Sequence, residues 1–210
     1  PKNIVATYAH DAVWFIAGSL AMGATMVKYG LDKRIGMLVM NLSGTKVRNV
    51  VLGILVGTAI PSAFISEASI APMFLPIAMA LYTLTSKKIG DATQLGKLLM
   101  MSIAIGCMVG APMSPTGGAR NAIMIGFLGN LGPEYEISFI QWMVLGSFYT
   151  LFLGIFFAIL LPFLYKPEVD DLSEAVNTLR EDLKKHGDMT KDQWMVAGIA
   201  LLMIIAWITD

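Results

Sequence analysis

Ser62-Ala63-Phe64-Ile65-Ser66-Glu67-Ala68-Ser69-Ile70-Ala71-Pro72 breaks a long uncharged run. Eighteen uncharged residues, 49–66, precede Glu67 and nineteen, 68–86, follow it. Each limb falls just short of the roughly 20 apolar residues that a membrane-crossing helix needs. Between the limbs sit small hydroxyl residues, one acid and a proline. Polar, irregular backbone is tolerated at membrane depth only where it is buried in protein or lines a wet cavity. The stretch therefore reads as the tip of a helical hairpin that enters the membrane and turns back.

The rest of the chain agrees with a membrane setting. It has 210 residues, 56% hydrophobic and 14% charged, with a mean hydropathy of +0.67. A soluble domain carries about 25% charged residues. The expected fold class is an all-α integral membrane protein whose partner is the lipid bilayer. The formal net charge is zero, so no basic excess points to nucleic acid. Cys107 is alone, which rules out an intrachain disulfide, and no Cys/His cluster has metal spacing. His10 and His186 read as ordinary interfacial residues. With no Ser/His or Asp/Asp arrangement within the spans, an enzyme is not expected. The sequence does not start with Met, and it stops at Trp207-Ile208-Thr209-Asp210 in a hydrophobic run, as a fragment cut at both ends would.

Six segments follow from charge and punctuation. Residues 1–44 form a transmembrane helix and an interfacial helix, the latter with Leu31, Ile35, Leu38 and Val39 on one face; the alternative is a longer first helix. Residues 45–88 are the hairpin. Lys46 and Arg48 at one end and Lys87 and Lys88 at the other put both ends on the cytoplasmic side, as two short full spans also would. Residues 89–133 form a broken transmembrane helix, interrupted by Gly110-Ala111-Pro112-Met113-Ser114-Pro115-Thr116-Gly117-Gly118-Ala119-Arg120-Asn121, where two prolines and three glycines oppose a continuous helix. The alternative there is a surface loop between two short segments. Residues 134–166 form a transmembrane helix entered from an outside loop carrying Glu134 and Glu136. Residues 167–189 form a cytoplasmic amphipathic linker helix with an apolar stripe of Leu172, Val176, Leu179 and Leu183, an i,i+4 pair of Glu181 and Lys185, and Gly187 at its end. Residues 190–210 form a further transmembrane helix. Capping boxes are expected at Asp91 with Gln94, Ser138 with Gln141 and Thr190 with Gln193. Thirteen of the fifteen Lys and Arg fall on the inside; Lys2 and Arg120 are the exceptions.

Charges in or beside spans are functional hypotheses by default, which singles out Glu67 and Arg120. A hairpin tip and an unwound helix together suggest a transporter. Broken helices expose N-termini that attract anions and free carbonyls that coordinate cations. Ser62, Ser66 and Ser69 add hydroxyls at the tip, although Ser62 and Ser66 could equally bond back to the preceding turn. Gly110, Gly117 and Gly118 allow carbonyls to approach an ion closely. Asn121 opens the second half-helix. An ion channel with a re-entrant pore loop, or a cation-coupled carrier of an unrelated substrate, is the alternative.

The tip residues 62–69 with Met73-Phe74-Leu75-Pro76-Ile77, the loop residues 110–122, and Gly30-Leu31-Asp32-Lys33-Arg34-Ile35 resemble the divalent anion:sodium symporter (DASS) family. The likeness covers nearly the whole chain but only the first of that family's two inverted repeats, so it implies the N-terminal half of a transporter, with residues 190–210 starting the second half. It implies secondary active transport of small anions, di- and tricarboxylates foremost, coupled to sodium, by an elevator-type motion in a homodimer. The expected location is a prokaryotic inner membrane. By position, Ser62, Ser66, Gly110, Gly117 and Gly118 correspond to the cation site, with no metal expected beyond sodium, and Glu67, Ala68, Ser69 and Asn121 to the substrate side. The family's tip asparagine is Glu67 here and its threonine is Ala68. An ionised Glu67 would repel a dicarboxylate. Three readings stand: Glu67 pairs with Arg120, it titrates and makes coupling proton-linked, or it strengthens the cation site.

Overall fold

The computed structural model describes residues 11–65, 67–184 and 187–209. Lys2, His10, Ser66, Lys185 and His186 lie outside them, and with them the second sodium-site serine and the Glu181–Lys185 pair. The described residues are helical without a strand; an isolated antiparallel bridge joins Lys46 to Asp171. The helices are α1 (Asp11–Lys28), α2 (Leu31–Leu42), α3 (Val47–Phe64), α4 (Glu67–Ile89), α5 (Thr93–Gly110), α6 (Ala119–Gly129), α7 (Phe139–Leu164), α8 (Ser173–Lys184) and α9 (Lys191–Thr209). Two single 3-10 turns, Ala111–Met113 and Pro115–Gly117, separate α5 from α6. Val47–Phe64, Glu67–Ile89, Thr93–Met113 and Phe139–Leu164 are long and apolar enough to cross a membrane. Among the described residues, α1 and α9 do not meet the same measure of length and hydropathy.

The breaks between helices follow from local chemistry. Gly30 (φ 71°) and Gly44 (φ 73°) take left-handed conformations at the two ends of α2, where a Cβ would be strained. Pro61 lies in the last turn of α3, and the chain leaves that helix through extended Ile65. Pro72 and Pro76 sit inside α4, so the carbonyls of Ala68 and Pro72 lose their usual intrahelical donors.

The core lies between α3, α4 and α5. Val50, Val51, Ile54, Phe74, Leu81, Leu95, Leu98 and Leu99 are fully buried there. A Cβ on Gly106 of α5 would stand 2.0 Å from Thr58 Oγ1 and 2.9 Å from the backbone oxygen of Leu55 of α3, so the two helices meet almost backbone to backbone. α7 runs along their outer side and shows most of its surface outward. At the other end α8 closes the base with its apolar stripe: Leu172 and Val176 are buried and Leu179 is half-buried. The segment leading into α8 is tied to the start of α3 by Val47 N to Asp170 O (3.0 Å), Leu172 N to Thr45 O (2.8 Å) and Thr45 Oγ1 to Asp171 Oδ2 (2.9 Å).

Two of the three expected capping boxes form. Ser138 and Gln141 exchange both bonds, as do Thr190 and Gln193. The third does not. Asp91 turns to Thr93, and the N–H groups of Gln94 and Leu95 are taken by Glu168, at 2.7 and 3.0 Å, from 74 and 73 residues away. Glu168 takes the Gln94 N–H that Asp91 would have capped, and its second oxygen meets the next N–H, that of Leu95.

Candidate functional site: the seam between hairpin tip and unwound loop

The C-terminal end of α3 leaves carbonyls without intrahelical donors, as every helix end does. The loop after α5 supplies donors to one of them. Ser114 Oγ donates to Ala63 O, and Thr116 Oγ1 donates to the same oxygen at 3.2 Å. The two hydroxyls are 2.7 Å apart, and Ser114 Oγ also accepts from Thr116 N at 3.2 Å, so Ser114 caps the second 3-10 turn. Ser114 and Thr116 are both buried. Asn121, 5% exposed in the first turn of α6, donates from Nδ2 to Ala111 O and to Ser114 O, each at 2.8 Å. One amide thus fastens both 3-10 turns to the next half-helix.

Glycine makes this approach feasible. A Cβ on Gly110 would lie 2.0 Å from Ala59 O, and one on Gly117 would lie 2.2 Å from Ala111 O and 2.6 Å from Ser62 O. From the other side α7 supports the loop: Trp142 Nε1 donates to Pro112 O at 3.0 Å, Thr150 Oγ1 donates to Val109 O at 2.9 Å, and Gly146 leaves room for the backbone of Pro112 and Met113.

The candidate residues do not all face this seam. Gly110, Gly117 and Asn121 are in it. Ser62 is fully buried and its Oγ donates to Thr58 O at 2.6 Å, the back-bonded geometry; the carbonyl of Ser62, not its hydroxyl, is what Gly117 approaches. Gly118 is half-buried, with extended backbone leading into α6. Ser69 sits against α1, 3.2 Å from where a Cβ on Gly23 would be. Ala68 is exposed. Glu67 opens α4 and accepts a hydrogen bond from Arg120 Nη2 at 2.6 Å, an ion pair on the rim of the seam. Ser114 and Thr116 escaped the sequence reading, which weighed that loop for its glycines and prolines. The signal was there: a hydroxyl followed by Pro, Thr and Gly is an N-cap before a short turn.

Chemically, the seam gathers main-chain oxygens and neutral hydroxyls where two helices end, the partially negative pole of each, and where α4 and α6 begin, the partially positive pole. Oxygens at the first suit a hard cation, and N–H groups at the second suit an anion.

The family profile described as the sodium:sulfate symporter transmembrane region matches residues 2–210. A protein named as a membrane protein in Cupriavidus necator is 22% identical over 98% of this chain and 40% of its own length. Proteins named sodium-dependent dicarboxylate transporter SdcS in Staphylococcus aureus and in Staphylococcus saprophyticus are each 24% identical over the whole of this chain and 41% of their own length. The chain thus spans about two-fifths of the length of these curated relatives. With its helical architecture and four membrane-length apolar helices, it is an all-α integral membrane protein and belongs to the sodium:sulfate symporter family, the divalent anion:sodium symporters.

Proposed function

We propose that this chain is one repeat of a secondary active transporter that moves small anions, di- or tricarboxylates foremost, coupled to sodium. The observation that carries the reading is the seam itself. Ala63 O is held by both loop hydroxyls, and Asn121 binds the loop carbonyls of Ala111 and Ser114. A hairpin tip and an unwound helix thereby form one unit in which carbonyl oxygens and half-helix N-termini lie side by side. Family membership and the relatives named as sodium-dependent dicarboxylate transporters support the substrate class and the ion. In this reading sodium is cargo, taken by oxygens near Ser62, Gly110, Gly117 and Gly118, while the anion meets the beginnings of α4 and α6 near Glu67, Ala68 and Asn121. The hairpin is re-entrant, and an elevator-type movement in a homodimer carries it across the prokaryotic inner membrane.

The test is uptake of radiolabelled succinate by the full-length protein in proteoliposomes. Saturable uptake driven by an inward sodium gradient, and lost when potassium replaces sodium, is expected. Asn121→Ala should lower it at least tenfold by freeing two loop carbonyls. Unitary currents, or flux indifferent to sodium, would defeat the reading.

A further inference from the structure

Outside the buried seam, tip and loop are joined a second time, by Glu67 and Arg120. The side chains, 30% and 60% exposed, are not covered by the rest of this chain. Glu67 is the first residue of α4 and Arg120 the second of α6. Both are followed or preceded by a small exposed residue, Ala68 and Ala119, which leaves room around the charges. Single bonding is also evident: one guanidinium nitrogen, Nη2, meets one carboxylate oxygen. Arginine carries five donors in a planar fork suited to two-point binding of a carboxylate, so most of that capacity is unspent on Glu67.

A role as a mere clasp fits poorly. Ser114 and Thr116 already hold tip to loop through buried bonds to Ala63 O. An ion pair this exposed adds little to such a seam. It also has a charge at an unfavourable end: a cation in the first turn of α6 opposes the helix dipole, whereas an acid at the start of α4 agrees with it. Neither a clasp nor the helix dipole accounts for Arg120, and Glu67 is a carboxylate held on one of its donors.

We propose that Arg120 is a ligand for a carboxylate of the transported anion, and that Glu67 is its resting counter-ion, displaced when the anion binds. The proposal rests on the transport reading above and adds the residue that recognises the substrate. Glu67 then sets affinity: the anion must compete with a tethered carboxylate, and the empty site stays neutral.

The experiment uses the full-length protein, with succinate as the probe, read twice: as KM for sodium-driven uptake and as Kd by isothermal titration at saturating sodium. Glu67→Gln removes the competitor, and both constants should fall by up to about fivefold, the worth of an exposed pair. Arg120→Gln should raise both about tenfold or more, as for loss of a charged hydrogen bond. The double variant should match Arg120→Gln, because Glu67 acts only through Arg120. Glu67→Gln and Arg120→Gln weakening binding alike, with the exchange Glu67→Arg plus Arg120→Glu restoring it, would mark a clasp and overturn the proposal. So would unchanged constants in Glu67→Gln. Absence of sodium-driven uptake in the wild type would instead defeat the transport reading, and the titration order would still decide for or against Arg120.

Discussion

The seam depends on single atoms. Adding one carbon at Gly110 or Gly117 sets it 2.0 Å from Ala59 O or 2.2 Å from Ala111 O, and a backbone oxygen cannot move aside as a flexible side chain can. Gly110→Ala and Gly117→Ala should each destabilise by about 1–3 kcal/mol, the usual range for overpacking, seen as a lower Tm in detergent. Gly154 on α7 is the control, since nothing lies within 4 Å of its added Cβ; Gly154→Ala should be neutral or raise Tm slightly through helix propensity. Ser114→Ala removes one of the two donors on Ala63 O and the cap of the second turn, and should cost about 1–2 kcal/mol. Because Thr116 still bonds Ala63 O, adding Thr116→Ala should cost more in that background than in wild type, a coupling that a double-mutant cycle reads directly.

At the scale of elements, the base of the molecule is fastened by carboxylates. Burial alone would raise Glu168, but the N–H groups of Gln94 and Leu95 outweigh it and hold its carboxyl below the ordinary 4.5. Asp171 is held down by Ser173, side chain first and then backbone, with Thr45 adding to it. A folded pKa below the unfolded one means stability that is fully present above the ordinary carboxylate range and is lost as pH falls through the lowered value. Glu168→Ala should therefore lower stability by about 1 kcal/mol or less at neutral pH, the worth of an exposed helix cap. The Tm gap between wild type and variant should close as pH drops below 4.5; a gap constant down to pH 3 would contradict capping by the carboxylate. This contact also shows where the sequence could be read and where it could not. Ser138 with Gln141 and Thr190 with Gln193 are local pairs, and spacing alone found them. Asp91 with Gln94 has equal spacing, but a partner 74 residues away won its N–H groups, and no local pattern records that. The same holds at the seam. The interruption at 110–121 was legible from proline and glycine, and the apolar stripe of Leu172, Val176 and Leu179 from its period. The meeting of Ser114 with Ala63, 51 residues apart, was not, because it arises from the packing of α5 on α3.

On the scale of the whole molecule, α7 serves as a ruler. Its 26 residues rise about 39 Å at 1.5 Å each, more than the roughly 30 Å of a hydrocarbon core. It touches the unwound loop at Trp142 and Gly146. Centred on its midpoint near residues 151 and 152, α7 carries Gly146 about 8 Å from the midplane, toward the Glu134 and Glu136 end. On that placement the loop and the tip bonded to it would lie about 7 Å inside that face of the hydrocarbon slab, as the proposed re-entrant hairpin requires. α3, whose 18 residues reach about 27 Å, sits at the lower limit for a full span. A re-entrant hairpin and two full spans make different demands here. A spin label on Ala68→Cys, in a background with Cys107 and any other cysteine replaced by serine, should report a depth below the headgroups on the Glu134 and Glu136 side. Labels on Lys46→Cys and Lys88→Cys should both report the opposite surface. A label at residue 68 as exposed to aqueous quencher as one at residue 134 would mean that the hairpin crosses completely, and the tip would then be a surface turn and not a binding element within the membrane.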